Sequence, residues 1–276
     1  MKGGEELTVR LEERAEKLDR LKEILQEDER ILIAFSGGLD SSFLASVAAE
    51  VLGDGALLVT LDSEAIPRSE LLEAEEMARS LDFRHRIVGY RILESEDIAK
   101  NPPDRCALCK RRIAKALQEI AEEEGIGRVA DGVNLSDYAD FRPGIRASDE
   151  EGIIHPLAEA GLTKPDIRDL AKEMGLPFWD KPSMACLASR IPYGERITPD
   201  KLRMAEEAEE FLMGRGFRTV RVRVSGRSAR IEVEKTDLEK ILGMREEVVR
   251  ELRRVGFLYV SLDLEGYRTG SANEVL

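Results

Sequence analysis

Ile31-Leu32-Ile33-Ala34-Phe35 runs directly into Ser36-Gly37-Gly38-Leu39-Asp40-Ser41-Ser42, and a helix-forming run over residues 43–52 follows. An apolar strand, a glycine turn and a helix, in that order, form a geometry that binds phosphate. Gly37 and Gly38 can take positive φ and carry no side chains, so backbone N–H groups can converge on an anion at the positive end of the helix. Ser36, Ser41 and Ser42 add hydroxyl donors. No Lys follows the second glycine, which excludes a Walker loop, and the third spaced glycine of a dinucleotide fingerprint is missing.

Outward from this turn, residues 7–25 place Leu7, Leu11, Ala15, Leu18, Leu21 and Leu25 among charges, the spacing of an amphipathic helix. Residues 56–61 read as a buried strand, 67–81 as a helix with proline in its first turn, and 84–90 and 128–131 as further strands. Strands alternating with helices predict an α/β fold with a doubly wound parallel sheet, whose ligands sit at the carboxyl ends of the strands. Asp62 and Ser63 stand at such an end; they either face the nucleotide or form a turn and a helix cap. A helix over 164–174 is closed by Gly175, with Pro177 close behind. Past Thr198-Pro199 the pattern changes to a helix over 200–213, strands over 219–224 and 229–233, a helix over 237–255 and a strand over 257–262. That is a smaller α+β domain, and the expected division is 1–196 and 197–276.

The 55 acidic and 42 basic residues give a net charge of −13, which repels nucleic acid unless a basic face is segregated. No apolar stretch approaches membrane-spanning length, and Met1-Lys2-Gly3-Gly4-Glu5-Glu6 is too polar for a signal peptide, so a cytoplasmic protein is expected. Three cysteines, two of them in Cys106-Ala107-Leu108-Cys109, suit a reducing compartment and metal or thiol chemistry better than a disulfide framework.

Cys106 and Cys109, three apart at a helix start, face the same way. Arg105, Lys110, Arg111 and Arg112 make their surroundings positive and favour thiolate. Such a pair is a metal or nucleophile site, a redox disulfide or a buried structural pair. Cys186, followed by Ser189 and Arg190, is either a functional thiol beside an anion-binding arginine or a buried spacer. His155, between apolar residues and Pro156, reads as a packed histidine rather than a general base. Arg221, Arg223 and Arg230 alternate with Val220, Val222, Val224 and Ile231, so one sheet face is expected to be apolar and the other cationic, either solvated or facing a phosphate.

The Ser36–Ser42 turn resembles the SGGxDS pyrophosphate loop of the N-type ATP pyrophosphatases (PP-loop, adenine nucleotide alpha hydrolase-like). Asp131-Gly132-Val133-Asn134, Arg142-Pro143-Gly144, His155-Pro156-Leu157, Trp179-Asp180-Lys181-Pro182 and Cys186-Leu187-Ala188-Ser189-Arg190-Ile191-Pro192-Tyr193-Gly194-Glu195 together resemble the LarE family, the ATP-dependent sulfurtransferases of nickel-pincer nucleotide biosynthesis for lactate racemase. The resemblance implies that ATP adenylates a carboxylate of a pyridinium dicarboxylate mononucleotide and that a sulfur nucleophile then displaces AMP to leave a thiocarboxylate. It implies ATP and Mg²⁺ at Ser36, Gly37, Gly38, Asp40 and Ser41, with Asp62 and Ser63 nearby and Asp40 positioning the turn or the ion. Arg190, Arg221 and Arg223 are the candidates for the substrate phosphate. In one branch of the family the residue matching Cys186 gives up its own sulfur once. Cys106 and Cys109 beside Cys186 resemble the other branch, in which three cysteines hold a [4Fe-4S] cluster; zinc on three cysteines is the competing metal. A sulfide donor, a homo-oligomer and enclosure of the site by the loop 134–144 are further expectations. A tRNA thiolase with the same loop, a cysteine-independent amide ligase and a nucleotide sensor are the rival readings.

Overall fold

A computed structural model of the chain describes residues 2–139, 143–182, 185–268 and 270–271. The expectations that fall on residues 140–142, 183 and 184, which include Arg142 of the proposed enclosing loop, lie outside the described residues. Along the chain run α1 (Lys2–Gln26), β1 (Ile31–Ala34), α2 (Leu39–Leu52), β2 (Ala56–Asp62), α3 (Arg68–Ser80), β3 (His85–Gly89), α4 (Glu96–Ala99), α5 (Arg105–Glu124), β4 (Val129–Ala130), α6 (Pro143–Glu150), α7 (Pro156–Glu159), α8 (Lys164–Glu173), α9 (Pro199–Met213), β5 (Val220–Ser225), β6 (Ser228–Val233), α10 (Leu238–Gly243), α11 (Arg245–Val255) and β7 (Tyr259–Leu262). Among the described residues no helix is long and apolar enough to cross a membrane.

The chain divides into two compact units: Met1–Asp62, Arg68–Tyr90 and Cys106–Met184 in the first, Ser63–Pro67, Arg91–Arg105 and Ala185–Leu276 in the second. The sequence reading places a single boundary at 196. The packing division comes earlier and draws two short upstream segments into the second unit, for a reason local patterns do not carry. Buried Asn101, at φ +58°, donates from its amide to the carbonyls of Ile191, Pro192 and Glu195. Backbone bonds from Leu187 to Ala65, Gly194 to Asn101 and Ile197 to Ala99 complete the attachment.

In the first unit the four strands are parallel in the order β3-β2-β1-β4. Strands covered on both faces read as continuous apolar runs, and β1 and β2 do. Ile31 and Ile33 pack under α1, α2 and α8, whereas Leu32, Leu57, Val59 and Leu61 face Ala114, Leu117, Ile120 and Ala121 of α5. Leu58 points to Ala74 and Ala78 of α3. Helices therefore cover both faces, as a doubly wound sheet requires. The edge strand β3 carries the more polar His85 and Arg86 and is half-exposed.

In the second unit β5 pairs antiparallel with β6, and β6 pairs parallel with β7. α9 buries Leu202, Ala205, Ala208 and Leu212, and α11 buries Val248, Leu252 and Val255. The single helix expected over 237–255 is two. α10 ends at Gly243, a poor helix residue, and Met244, at φ −100° and ψ 9°, leaves the helix and caps α11.

Candidate active site

The strand order reverses between β1 and β4, and in sheets of this kind the crevice for ligands opens at the carboxyl ends of those two strands. β1 leads there into Ser36. Phe35 is held by its N–H on Val59 O at 2.8 Å and by Thr60 Oγ1, which donates to its carbonyl at 2.7 Å. With the Thr60 proton used there, His85 Nε2, 2.8 Å from Thr60 Oγ1, is the donor to that oxygen, and burial holds the His85 pKa below its ordinary value. Gly37 sits at φ +68°, and a Cβ there would lie 2.7 Å from Ala74 Cβ, so glycine is required on both counts. Ser41 Oγ bridges the turn, 3.0 Å from Ser36 Oγ and 3.2 Å from the Gly38 carbonyl. Gly38 caps α2 without a side chain, so the first N–H groups of that helix have no side-chain cap.

Asp40, in the first turn of α2, accepts from Lys164 Nζ on one carboxylate oxygen. Its other oxygen, Oδ1, is buried with no hydrogen-bond partner among the described residues. Burial pushes the Asp40 carboxyl above its usual range against the pull of Lys164. Lys164 opens α8, where Thr163 and Asp166 form a capping box, and its own N–H donates to Ser136 Oγ at 3.0 Å. Asp62 closes β2 and pairs with Arg68 at 2.6 Å, while the Ser63 carbonyl accepts from the Ile66 N–H in the second unit.

β4 delivers Asp131 and Gly132 to the same crevice. A Cβ on Gly132 would lie 2.8 Å from the Ser41 nitrogen, so only glycine lets α2 start this close to β4. Buried Asp131 accepts from Val133 N–H at 3.0 Å and from His155 Nδ1 at 2.6 Å, with Lys110 Nζ at 3.6 Å. His155 Nε2 lies 2.9 Å from Asp149 of α6. Burial alone would lower the His155 pKa, but the two carboxylates outweigh it and hold the pKa above its ordinary value; burial would likewise raise Asp131, and His155 with Lys110 bring it below. His155 is packed, as the sequence reading has it, yet it is packed as a charged bridge. Asn134, almost fully buried, uses its Oδ1 on Ser136 N–H, and its Nδ2 has no partner among the described residues.

Cys106 and Cys109 occupy the first turn of α5 in the first unit, exposed and half-buried respectively. Cys186 is exposed in the second unit, just before the 3₁₀ turn Leu187–Arg190. All three carry thiols outside any disulfide. Among the described residues no group of three or more His, Cys, Asp or Glu side chains is set to hold a metal ion.

The arginines expected on the substrate phosphate have partners within the second unit. Arg190, expected on the substrate phosphate, is 0% exposed. Its Nε and Nη2 make a two-pronged pair with Glu209 at 2.8 and 2.7 Å, and Nη1 donates to the carbonyls of Ala185 and Cys186 and to Ser189 Oγ. It clasps the turn that carries Cys186 and has no surface to offer a ligand. Arg223 is likewise paired with buried Glu232 at 2.9 and 2.7 Å and donates to Ser189 O and Ser271 Oγ. Arg230 shares Glu232 at 3.1 Å. The face expected to be cationic therefore contains its own carboxylate, because β6 places Glu232 in register with Arg221. Arg221 donates to Val220 O and lies over the Tyr267 ring, with burial holding its pKa below the usual arginine value.

Residues 18–109 match the asparagine synthase family model. Over 263 residues, 95% of each chain, the protein is 36% identical to the pyridinium-3,5-bisthiocarboxylic acid mononucleotide synthase of Lactiplantibacillus plantarum. It belongs to the LarE family. An uncharacterised protein of Synechocystis is 40% identical over 94% of this chain and 98% of its own length. The argininosuccinate synthase of Natronomonas pharaonis is 34% identical over 166 residues, 56% of this chain and 41% of that enzyme. In this LarE-family chain, sequence reasoning located the glycine turn and the cysteines but gave no role to Lys164, Lys181 or Asp149. A lysine at a helix start and an acid on a short helix carry no motif, and only their contacts single them out.

Proposed function

We propose that this protein is an ATP-dependent sulfurtransferase that converts a carboxylate of a pyridinium dicarboxylate mononucleotide to a thiocarboxylate in nickel-pincer nucleotide biosynthesis. The near full-length identity to the Lactiplantibacillus plantarum synthase carries the reading. A carboxylate oxygen attacks the α-phosphorus of ATP and pyrophosphate leaves; a sulfur nucleophile then adds to the acyl carbon and AMP departs with the C–O electron pair. Ser36, Gly37, Gly38 and Ser41 cradle the triphosphate, for which the uncapped N–H groups at the start of α2 are the supporting feature. The buried, unpartnered Asp40 Oδ1 suits a divalent cation, and Mg²⁺ there would neutralise charge building on departing pyrophosphate. Arg221, buried to 9% exposure and donating to Val220 O among the described residues, is the arginine assigned to the substrate phosphate in this reading.

Cys106, Cys109 and Cys186 have the thiol chemistry that holds a [4Fe-4S] cluster, which when bound would supply sulfide, replenished by a separate donor, to the acyl carbon. Self-association and a cytoplasmic setting belong to the same proposal. The test is release of AMP and pyrophosphate in equal amounts, dependent on the pyridinium mononucleotide. Release that depends instead on tRNA, with steep salt dependence, reassigns the protein to RNA thiolation. Iron analysis after anaerobic reconstitution then separates the sulfur sources. About four irons per chain, lost in Cys106→Ala, Cys109→Ala and Cys186→Ala alike, is the expected result. A colourless protein whose Cys186 becomes dehydroalanine in one turnover overturns the cluster.

A further inference from the structure

Lys181 makes contacts that the reaction above does not use. It lies beyond α8, yet its ammonium donates to the Gly37 carbonyl oxygen at 3.1 Å, across 144 residues of sequence. The same nitrogen stands 2.8 Å from Glu73 and 3.3 Å from Glu70, both on α3. The ammonium thus makes a hydrogen bond to the Gly37 carbonyl and ion pairs with the two carboxylates. The lysine side chain is 12% exposed. A solvated surface lysine would keep its charge in water; this one is turned onto a backbone oxygen in the glycine turn.

The consequence lies in the peptide that carries that oxygen. Across a trans peptide the C=O and N–H point in opposite directions, and the described chain has no cis bond. Holding the Gly37 oxygen toward Lys181 therefore aims the Gly38 N–H to the other side, where it meets Ser36 Oγ at 3.4 Å. That separation is beyond the usual range for N–H···O bonds, so the donor remains available to a stronger acceptor. A peptide between two glycines is also the unit of the backbone that rotates most readily. Ala74 limits it from one side by contact with Gly37, and Lys181 supplies a directional restraint.

We propose that Lys181 is a positioning residue for the nucleotide: it sets the Gly37–Gly38 peptide so that the Gly38 N–H faces a phosphate oxygen, and Glu70 and Glu73 hold the lysine in that pose. The inference rests on the reading of the Ser36–Ser42 turn as the ATP site. Calorimetric titration of the full chain with ATP comes first, since failure of the wild type to bind overturns that reading rather than this one. Where the wild type binds, Lys181→Met should weaken ATP about tenfold through loss of one charge-assisted hydrogen bond, with KM for the pyridinium mononucleotide unchanged. The triple variant Glu70→Gln/Glu73→Gln/Lys181→Met should stay as weak, because removing the acids does not restore the peptide. Wild-type affinity in Lys181→Met, or recovery in the triple variant, overturns the proposal; recovery would mean that unmasked acids repelled the phosphates. If Lys181→Met fails to fold, Lys181→Gln is read in its place: a smaller rise in Kd for ATP is expected, and an unchanged Kd overturns it.

Discussion

Replacing Arg190 by Met separates a structural guanidinium from a substrate-binding one. In the wild type it makes two hydrogen bonds to Glu209, whose side chain is 4% exposed, and three more to the turn around Cys186. Without it, a buried carboxylate keeps only part of its hydrogen bonding, from the Val222 N–H at 2.8 Å, the Ala185 carbonyl loses the guanidinium donor, and the Cys186 carbonyl keeps only the Ser189 N–H at 3.0 Å. Breaking a buried ion pair from one side destabilises by about 3–5 kcal/mol. At roughly 2–4 °C per kcal/mol for a protein of this size, the Tm should fall by about 6–20 °C. The double variant Arg190→Met/Glu209→Met should recover much of the loss, since an apolar pair replaces a buried charge left alone. Thermal unfolding by circular dichroism gives the stability, and initial rates against pyridinium mononucleotide give KM at a temperature where each variant is folded. An unchanged Tm with a raised KM would refute the structural assignment and return Arg190 to the phosphate.

Three further outcomes follow from the geometry. The His155 pKa is raised above 6.5, so the stabilisation it shares with Asp131 and Asp149 is complete below that pH and is lost as pH rises through the raised value. Thermal stability should therefore decline along this alkaline limb and flatten in His155→Asn; an identical limb in the variant contradicts the bridge. Gly37→Ala places a methyl against Ala74 at an unfavourable φ, which should lower stability by about 1–3 kcal/mol and remove ATP binding, as denaturant titration and calorimetry would show. Glu232→Gln weakens the pairs to Arg223 and Arg230 together, so urea unfolding should move to a lower midpoint, corresponding to a loss of about 1–3 kcal/mol, and an unmoved midpoint would mean those pairs contribute nothing.

The parts of this protein that rest on neighbours in sequence were legible in it. Strand and helix periods come from side chains two, three or four residues apart, and the Ser36–Ser42 turn is local backbone chemistry, so the parallel sheet, its glycine turn and the small α+β unit followed from the chain itself. The break at Gly243 falls inside the amphipathic stretch that the sequence reads as one helix over 237–255. Tertiary structure decided where the charges go. With 55 acidic and 42 basic residues, composition leaves the pairing open, and electrostatic partners obey no period. Arg190 meets Glu209 19 residues away on another element, and Asp40 meets Lys164 across 124 residues. A side chain's role as ligand, clasp or positioning group depends on which oxygen it reaches after folding, and that is set by the packing of elements rather than by the order of residues within them.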